Sequence, residues 1–269
     1  MISILKRREQ FLALHKIGNP FIIPNPWDIG SAKILQGLGF SALATTSSGY
    51  AATLGRDDYA ITQDEALNSA FAIAEQTHIP VSADLENGFG DAPDQVAKTI
   101  SLAVKSALCG GSIEDVTGDI NKPIYSLHQA SARIEAARHA ATEGFVLTAR
   151  ADGFLHGVTD LENIIERLQA FEAAGADVLF APGLSNIEAV HRVCSAVTAP
   201  VNVLIYGALT QNNISDFAQA GAARLSIGGR FAFNAYGTLA DTATMLSDGD
   251  FHLLGSDDSN ITTIKKFLG

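Results

Sequence analysis

Cysteine is nearly absent: Cys109 and Cys194 lie far apart and form no C-x-x-C pair. That spacing excludes a disulfide framework and a thiolate metal site. Cys109 precedes Gly110-Gly111 at the start of a strand pattern and Cys194 falls inside a helical one, so both read as small buried hydrophobes. Charge is also scarce, 17% of residues against 47% hydrophobic, and its balance is acidic, with 18 Lys and Arg against 29 Asp and Glu and a formal net charge of -11. No basic stripe is present to offset phosphates, which argues against nucleic acid or an anionic membrane as partner. The cluster Lys6-Arg7-Arg8 reads as a solvated helix face. No apolar run reaches the roughly 18 residues that a membrane span needs. The basic cluster also follows the short apolar start instead of preceding it, unlike a signal peptide. A soluble, cytoplasmic protein is the expectation. No linker rich in Pro, Ser or Gly divides the chain, so residues 1–269 are read as one domain.

What the chain does contain is alternation. Short β-branched or apolar runs recur at 21–26, 41–46, 81–86, 111–116, 146–152, 178–183, 201–207 and 224–229. Between them lie amphipathic stretches such as 94–108, 126–143 and 161–174, with apolar residues at three- and four-residue spacing and glycines at 144, 175 and 221 as stop signals. Eight β-then-α units fit a closed parallel (β/α)8 TIM barrel better than an open doubly wound sheet. Residues 3–17 predict an extra N-terminal helix that closes the barrel bottom, 231–246 the helix after strand eight, and 260–268 a short terminal helix.

In such a barrel, chemistry gathers at the C-terminal ends of the strands. Strand two runs out into Thr45, Thr46, Ser47 and Ser48, with Asp57 and Asp58 beyond; strand three ends in Asp84-Leu85-Glu86, strand four in Glu114-Asp115 and strand five in Arg150-Ala151-Asp152. Side chains two apart on a strand share a face, so Asp84 and Glu86 are expected to converge. Two carboxylates in a shielded place repel unless a cation lies between them, and hard oxygen donors suit Mg²⁺ or Mn²⁺. Other readings stay open. Glu114 and Arg150 also suit a structural ion pair, Asp57 and Asp58 also suit solvated surface, and His156, in the loop after strand five, suits solvent as well as an acid or base role. Gly228-Gly229 after strand eight suggests a phosphate cradle only weakly.

These residues carry a resemblance. Pro26-Trp27-Asp28 with Ser31-Ala32, the run 45–49, Leu54-Gly55 with Asp58, the run 82–90, Ile113-Glu114-Asp115 and Thr148-Ala149-Arg150-Ala151-Asp152 together resemble the isocitrate lyase and phosphoenolpyruvate mutase superfamily, in particular its short phosphonomutase-like members. The resemblance implies a homodimer or homotetramer in which a C-terminal helix is exchanged. It implies Mg²⁺ held, partly through waters, by Asp58, Asp84, Glu86 and Glu114, with Arg150 on the keto or carboxylate oxygen of a small anionic 2-keto acid. It places the substrate carboxylate near Thr45, Thr46 and Ser47, with Asn121 as a counterpart of the mutases' lid asparagine.

The implied reaction is Mg²⁺-dependent cleavage of a C–C or C–P bond through a pyruvate enolate, in oxaloacetate or phosphonopyruvate for example, with Arg150, Asp58 and Glu114 as the catalytic set. A phosphonomutase that moves the phosphoryl group within the molecule is the alternative chemistry. A metal-dependent metabolite-binding barrel without turnover is the alternative outside catalysis. Residues 116–125, where the isocitrate lyases carry their cysteine, contain no thiol, so a cysteine-dependent lyase is not expected.

Overall fold

A computed structural model of the chain describes residues 3–142, 144–252 and 259–268. Eight parallel strands form the sheet: β1 Phe21–Ile23, β2 Leu43–Ala44, β3 Val81–Asp84, β4 Gly110–Glu114, β5 Val146–Arg150, β6 Val178–Phe180, β7 Val201–Leu204 and β8 Arg224–Ser226. Their order, β1-β8-β7-β6-β5-β4-β3-β2, is that of a (β/α)8 barrel with one seam, between β1 and β2. The seam is closed by one backbone bond, Ala44 N–H to Pro24 O at 3.1 Å, and by Asn25. The Asn25 amide nitrogen donates to Ala44 O (3.0 Å) and Thr45 O (3.2 Å), and its oxygen accepts from the N–H groups of Ile227 and Gly228 (3.0 Å each). Asn25 thus joins β1 to strands on both sides. It also occupies the Gly228 N–H on which a phosphate cradle would draw.

Helices begin where a polar side chain satisfies the first free N–H groups. Asp28 caps the helix Ile29–Gly37, with Ser31 N–H donating to its Oδ1 at 2.7 Å. Ser126 and Gln129 cap Leu127–Ala140 in the same reciprocal way. Helices Gln63–Glu75, Pro93–Val104, Leu161–Ala173 and Ile187–Ala196 lay apolar faces on the sheet, and the main core is the layer between them. The expected stop at Gly175 is realised at φ +95°, in the left-handed region that glycine adopts without strain. Among the described residues, no helix is long and apolar enough to cross a membrane.

The helix Ile4–Leu14 plugs the barrel bottom, as expected from 3–17. Phe11 is fully buried there against Ile23, Ala42, Cys109, Val146 and Val178, and its ring meets His15 edge-on at 4.9 Å. The solvated reading of Lys6-Arg7-Arg8 is corrected at Arg8, which is 1% exposed. Its Nε donates to Leu108 O at 3.1 Å and its guanidinium lies 5.7 Å from the Phe145 ring centroid. The carbonyls at the end of the helix Pro93–Val104 need donors, and an arginine reaches them where solvent cannot. The terminal helix Ser259–Leu268 packs on Ile29–Gly37, with the Phe267 ring against Gly37.

Candidate active site

The C-terminal ends of the strands surround a cavity of about 190 Å³ lined by Thr45, Thr46, Ser47, Asp58, Asp84 and Arg150, and deeper by Ser82, Ser112, Asn202 and Arg224. β2 delivers the first group. Thr46 caps the helix Ser47–Thr53, its hydroxyl accepting from Gly49 N–H at 3.3 Å. Gly49 is required here, because a Cβ would come within 2.6 Å of Thr46 Cγ2. The Thr45 hydroxyl accepts from Asp84 N–H at 2.9 Å, which leaves its own proton free to donate.

Ser47 binds two acids at once. Its N–H and Oγ both lie 3.0 Å from Asp84 Oδ2, and the same Oγ lies 3.2 Å from Asp58 Oδ1. One hydroxyl proton cannot serve two carboxylates, so the pair is short of positive charge. Burial, then the neighbouring Asp84, pushes the Asp58 carboxyl up from its ordinary value.

Glu86 reaches this group by a different route from strand alternation. β3 ends at Asp84, and Glu86 stands beyond it at φ +47°, a left-handed conformation uncommon for a side chain with a Cβ. Leu85 takes the buried core position, and the turn swings the Glu86 carboxyl into the field of Asp84 and Asp58. Burial first, then Asp84 and Asp58, raises the Glu86 carboxyl to about 8, and its buried Oε1 has no hydrogen-bond partner among the described residues. The two acids converge, though the strand argument for it fails.

Arg150 ends β5 and is held as a fork. Its Nε and one terminal nitrogen each lie 2.6 Å from an Asp152 oxygen, while the other terminal nitrogen lies 3.1 Å from Glu114 Oε2. Its guanidinium packs 5.4 Å from the Phe180 ring centroid. Burial alone would lower its pKa, but Asp152 and Glu114 outweigh that and keep the cation charged. Burial drives the Glu114 carboxyl well above the usual range against the pull of Arg150, and among the described residues Glu114 Oε1 has no hydrogen-bond partner.

Sequence reasoning missed the support behind this fork. Asp152 N–H donates to Asp115 Oδ1 at 2.8 Å, and Asp115 Oδ2 pairs with Arg167 at 3.0 Å. Arg167 also donates to Tyr125 O, at the base of the loop after β4. Asp115 and Asp152 stood in visible motifs, whereas Arg167 lies on a helix 52 positions from Asp115 with no local signal. Tyr59, at φ +62°, was also missed. Desolvation, then Glu114 and Asp152, pushes its phenol up, although 43% of the residue is exposed.

Asn121 is not brought to the cavity. Residues 116–124 close on themselves through the bridge Val116–Ile124, and Asn121 is exposed with its N–H on Asp119 Oδ1 at 2.8 Å. Asp57 is exposed, as its surface reading allowed, and Cys109 lies at the opposite end of the barrel. His156 sits in the short 3-10 turn Gly153–His156, half-buried, outside the cavity lining.

Comparison with known proteins gives this architecture its relatives. Residues 11–247 match the family described as phosphoenolpyruvate phosphomutase. The chain is 32% identical to 2-methylisocitrate lyase of Escherichia coli K12, covering 71% of this chain and 67% of that one. It is 27% identical to oxaloacetate decarboxylase of Pseudomonas putida GB-1, over 85% and 80% of the two chains. A crystal structure from Burkholderia cenocepacia J2315, described provisionally as a lyase/mutase, superposes with a TM-score of 0.93 at 43% identity, over 99% of this chain and 97% of that one. The barrel, the acids at its mouth and these matches make the chain a member of the phosphoenolpyruvate mutase/isocitrate lyase superfamily.

Proposed function

We propose that the protein is a divalent-metal-dependent lyase that cleaves a C–C or C–P bond of a small 2-keto or 2-hydroxy acid, with oxaloacetate and phosphonopyruvate as the first candidates. The observation that carries this reading is Arg150, a single guanidinium fixed by Asp152 and Glu114 at the wall of a cavity whose other charged rim groups, Asp58 and Asp84, are acids. The relatives named for lyase and decarboxylase chemistry agree with it.

The residues fit a hard cation. Two buried carboxylate oxygens, Glu86 Oε1 and Glu114 Oε1, lack hydrogen-bond partners among the described residues, and desolvation with mutual repulsion raises Asp58 and Glu86. Among the described residues, no three His, Cys, Asp or Glu groups form a ready-made cage. Asp58, Asp84, Glu86 and Glu114 would therefore hold Mg²⁺ or Mn²⁺ partly through waters. Such an ion supplies Lewis-acid stabilisation of negative charge on a chelated keto acid.

The chain's own groups do the rest. Thr45, Thr46 and Ser47 line one wall of the cavity, and Thr45, whose hydroxyl proton is uncommitted, is the group of the three that would donate to the substrate carboxylate, while Ser47 holds Asp58 and Asp84 in place. The bond from C3 to the departing carboxyl or phosphoryl group breaks, and its electron pair stays on C3 and spreads onto the keto oxygen as an enolate; from phosphonopyruvate the phosphoryl group passes to a water oxygen and leaves as phosphate. Arg150, already oriented, neutralises that oxygen without reorganising, the condition under which such donors are most effective. From oxaloacetate, carbon dioxide leaves and the enolate takes a proton to become pyruvate. The loop 116–125 holds no thiol to supply that proton, which separates this site from the cysteine-dependent lyases.

The test is product analysis with oxaloacetate, phosphonopyruvate and methylisocitrate, with and without Mg²⁺ and chelator. Mg²⁺-dependent pyruvate from oxaloacetate or phosphonopyruvate supports the proposal. Interconversion of phosphonopyruvate without pyruvate release indicates the mutase, binding without any product indicates a binding protein, and turnover of methylisocitrate overturns the exclusion of the cysteine-type reaction.

A further inference from the structure

One strand level below the mouth, the barrel interior is polar where a hydrocarbon layer is the usual filling. Ser82 of β3, Ser112 of β4, Asn202 of β7 and Arg224 of β8 line the lower part of the same cavity. Arg224 is 4% exposed and, among the described residues, no carboxylate pairs with it. Its three hydrogen bonds go to neutral groups: Nε to Asn202 Oδ1 at 2.9 Å, one terminal nitrogen to His15 Nε2 at 3.2 Å and the other to Thr148 Oγ1 at 3.2 Å. His15 is neutral in this setting, since burial and then Arg224 hold its imidazole down to about 3. Its Nδ1–H therefore donates to Phe11 O at 2.9 Å and its Nε2 accepts from Arg224. A guanidinium has five N–H groups, so each terminal nitrogen of Arg224 keeps one without an acceptor.

A buried cation with no counter-charge is unfavourable, and the other guanidinium that lines this cavity, that of Arg150, holds a carboxylate. Arg224 is held by His15 of the bottom helix, by Asn202 and by Thr148, and it lines the cavity. We infer that the cavity floor is an anion subsite in which Arg224, with Ser82 and Ser112 lining the approach, receives the distal carboxylate of a dicarboxylate whose other end lies at the mouth. Thr148, which accepts from Arg224, precedes Arg150 by two positions on β5, so the strand position that meets Arg224 lies about 6.6 Å below the one that carries Arg150. This inference rests on the proposed reading of the mouth and narrows its substrate from 2-keto or 2-hydroxy acids at large to diacids.

The experiment compares L-malate with lactate, two 2-hydroxy acids that share a chelating head and differ in the distal carboxylate. Binding to the full chain is measured by calorimetry in Mg²⁺ at fixed ionic strength, for wild type, Arg224→Met and Ser112→Val. Ser112→Val fills the approach without removing the guanidinium, which keeps the test open if Arg224→Met does not fold. The inference predicts that wild type prefers malate and that each folded variant loses roughly ten- to hundredfold of that preference, with lactate affinity held. An unchanged malate-to-lactate ratio in the folded variants overturns the subsite alone. Failure of both acids to bind wild type overturns the reading of the mouth together with it. Stabilisation of wild type but not Arg224→Met by chloride, with the malate preference intact, assigns Arg224 to a free inorganic anion and also overturns the inference.

Discussion

At the scale of single residues, the mouth of the site is defined by one cation, Arg150, among acids. Arg150 makes a two-point contact with Asp152 and a third with Glu114, a geometry that a lysine's single ammonium cannot reproduce. Arg150→Lys is therefore expected to lose about 10²- to 10³-fold in kcat, as for removal of an oriented donor, with the melting temperature as the control for folding. Glu86 makes a separate prediction. Its folded value of about 8 stands above its unfolded value of 4.5, so between these pH values the folded state binds the proton and the unfolded state does not. Stability of chelator-treated protein should fall as pH rises from 5 to 8, a slope read by thermal melts, and Glu86→Gln should flatten it. Divalent cation should restore stability most at the alkaline end, where the carboxylate is charged.

At the scale of elements, the seam between β1 and β2 depends on one side chain. Asn25 makes four bonds there, two donated and two accepted, and Asn25→Leu strands all four backbone partners. The expected loss is about 2–4 kcal/mol in denaturant unfolding, because buried polar groups lose their partners without water to replace them. Most of this level was legible in the sequence. The strand-three motif marked the right place, yet alternation gave the wrong reason: Asp84 ends the strand and the left-handed turn at Glu86 does the convergence. Glu114 and Arg150 form the ion pair that was one of their two readings, with Arg150 at the cavity wall and Glu114 buried behind it. What could not be read was action at a distance. Arg8, Arg167 and Arg224 lie in segments whose local pattern says nothing of the carbonyls, carboxylates and cavity they reach across the fold.

At the scale of the whole molecule, the helix Arg230–Ser247 has only Ala232 buried and leaves Phe231, Phe233, Tyr236 and Leu239 exposed, Leu239 at 64%. Apolar surface grouped on one element marks an interaction site more often than single scattered residues do. We propose that a second copy covers it, in line with the homodimer or homotetramer expected from the resemblance. Light scattering on the eluting protein should give a multiple of 28.3 kDa, and Leu239→Glu should shift it toward one chain.

The central claim, a divalent ion and Arg150 together stabilising an enolate, is tested most directly by oxalate, a planar dianion that mimics pyruvate enolate and has no group to lose. Calorimetry in Mg²⁺ should show oxalate binding about a hundredfold or more tighter than pyruvate, as expected for an intermediate mimic. That advantage should vanish with chelator and in Arg150→Ala. Oxalate affinity that is equal to that of pyruvate, or indifferent to Mg²⁺ and to Arg150, would contradict the account.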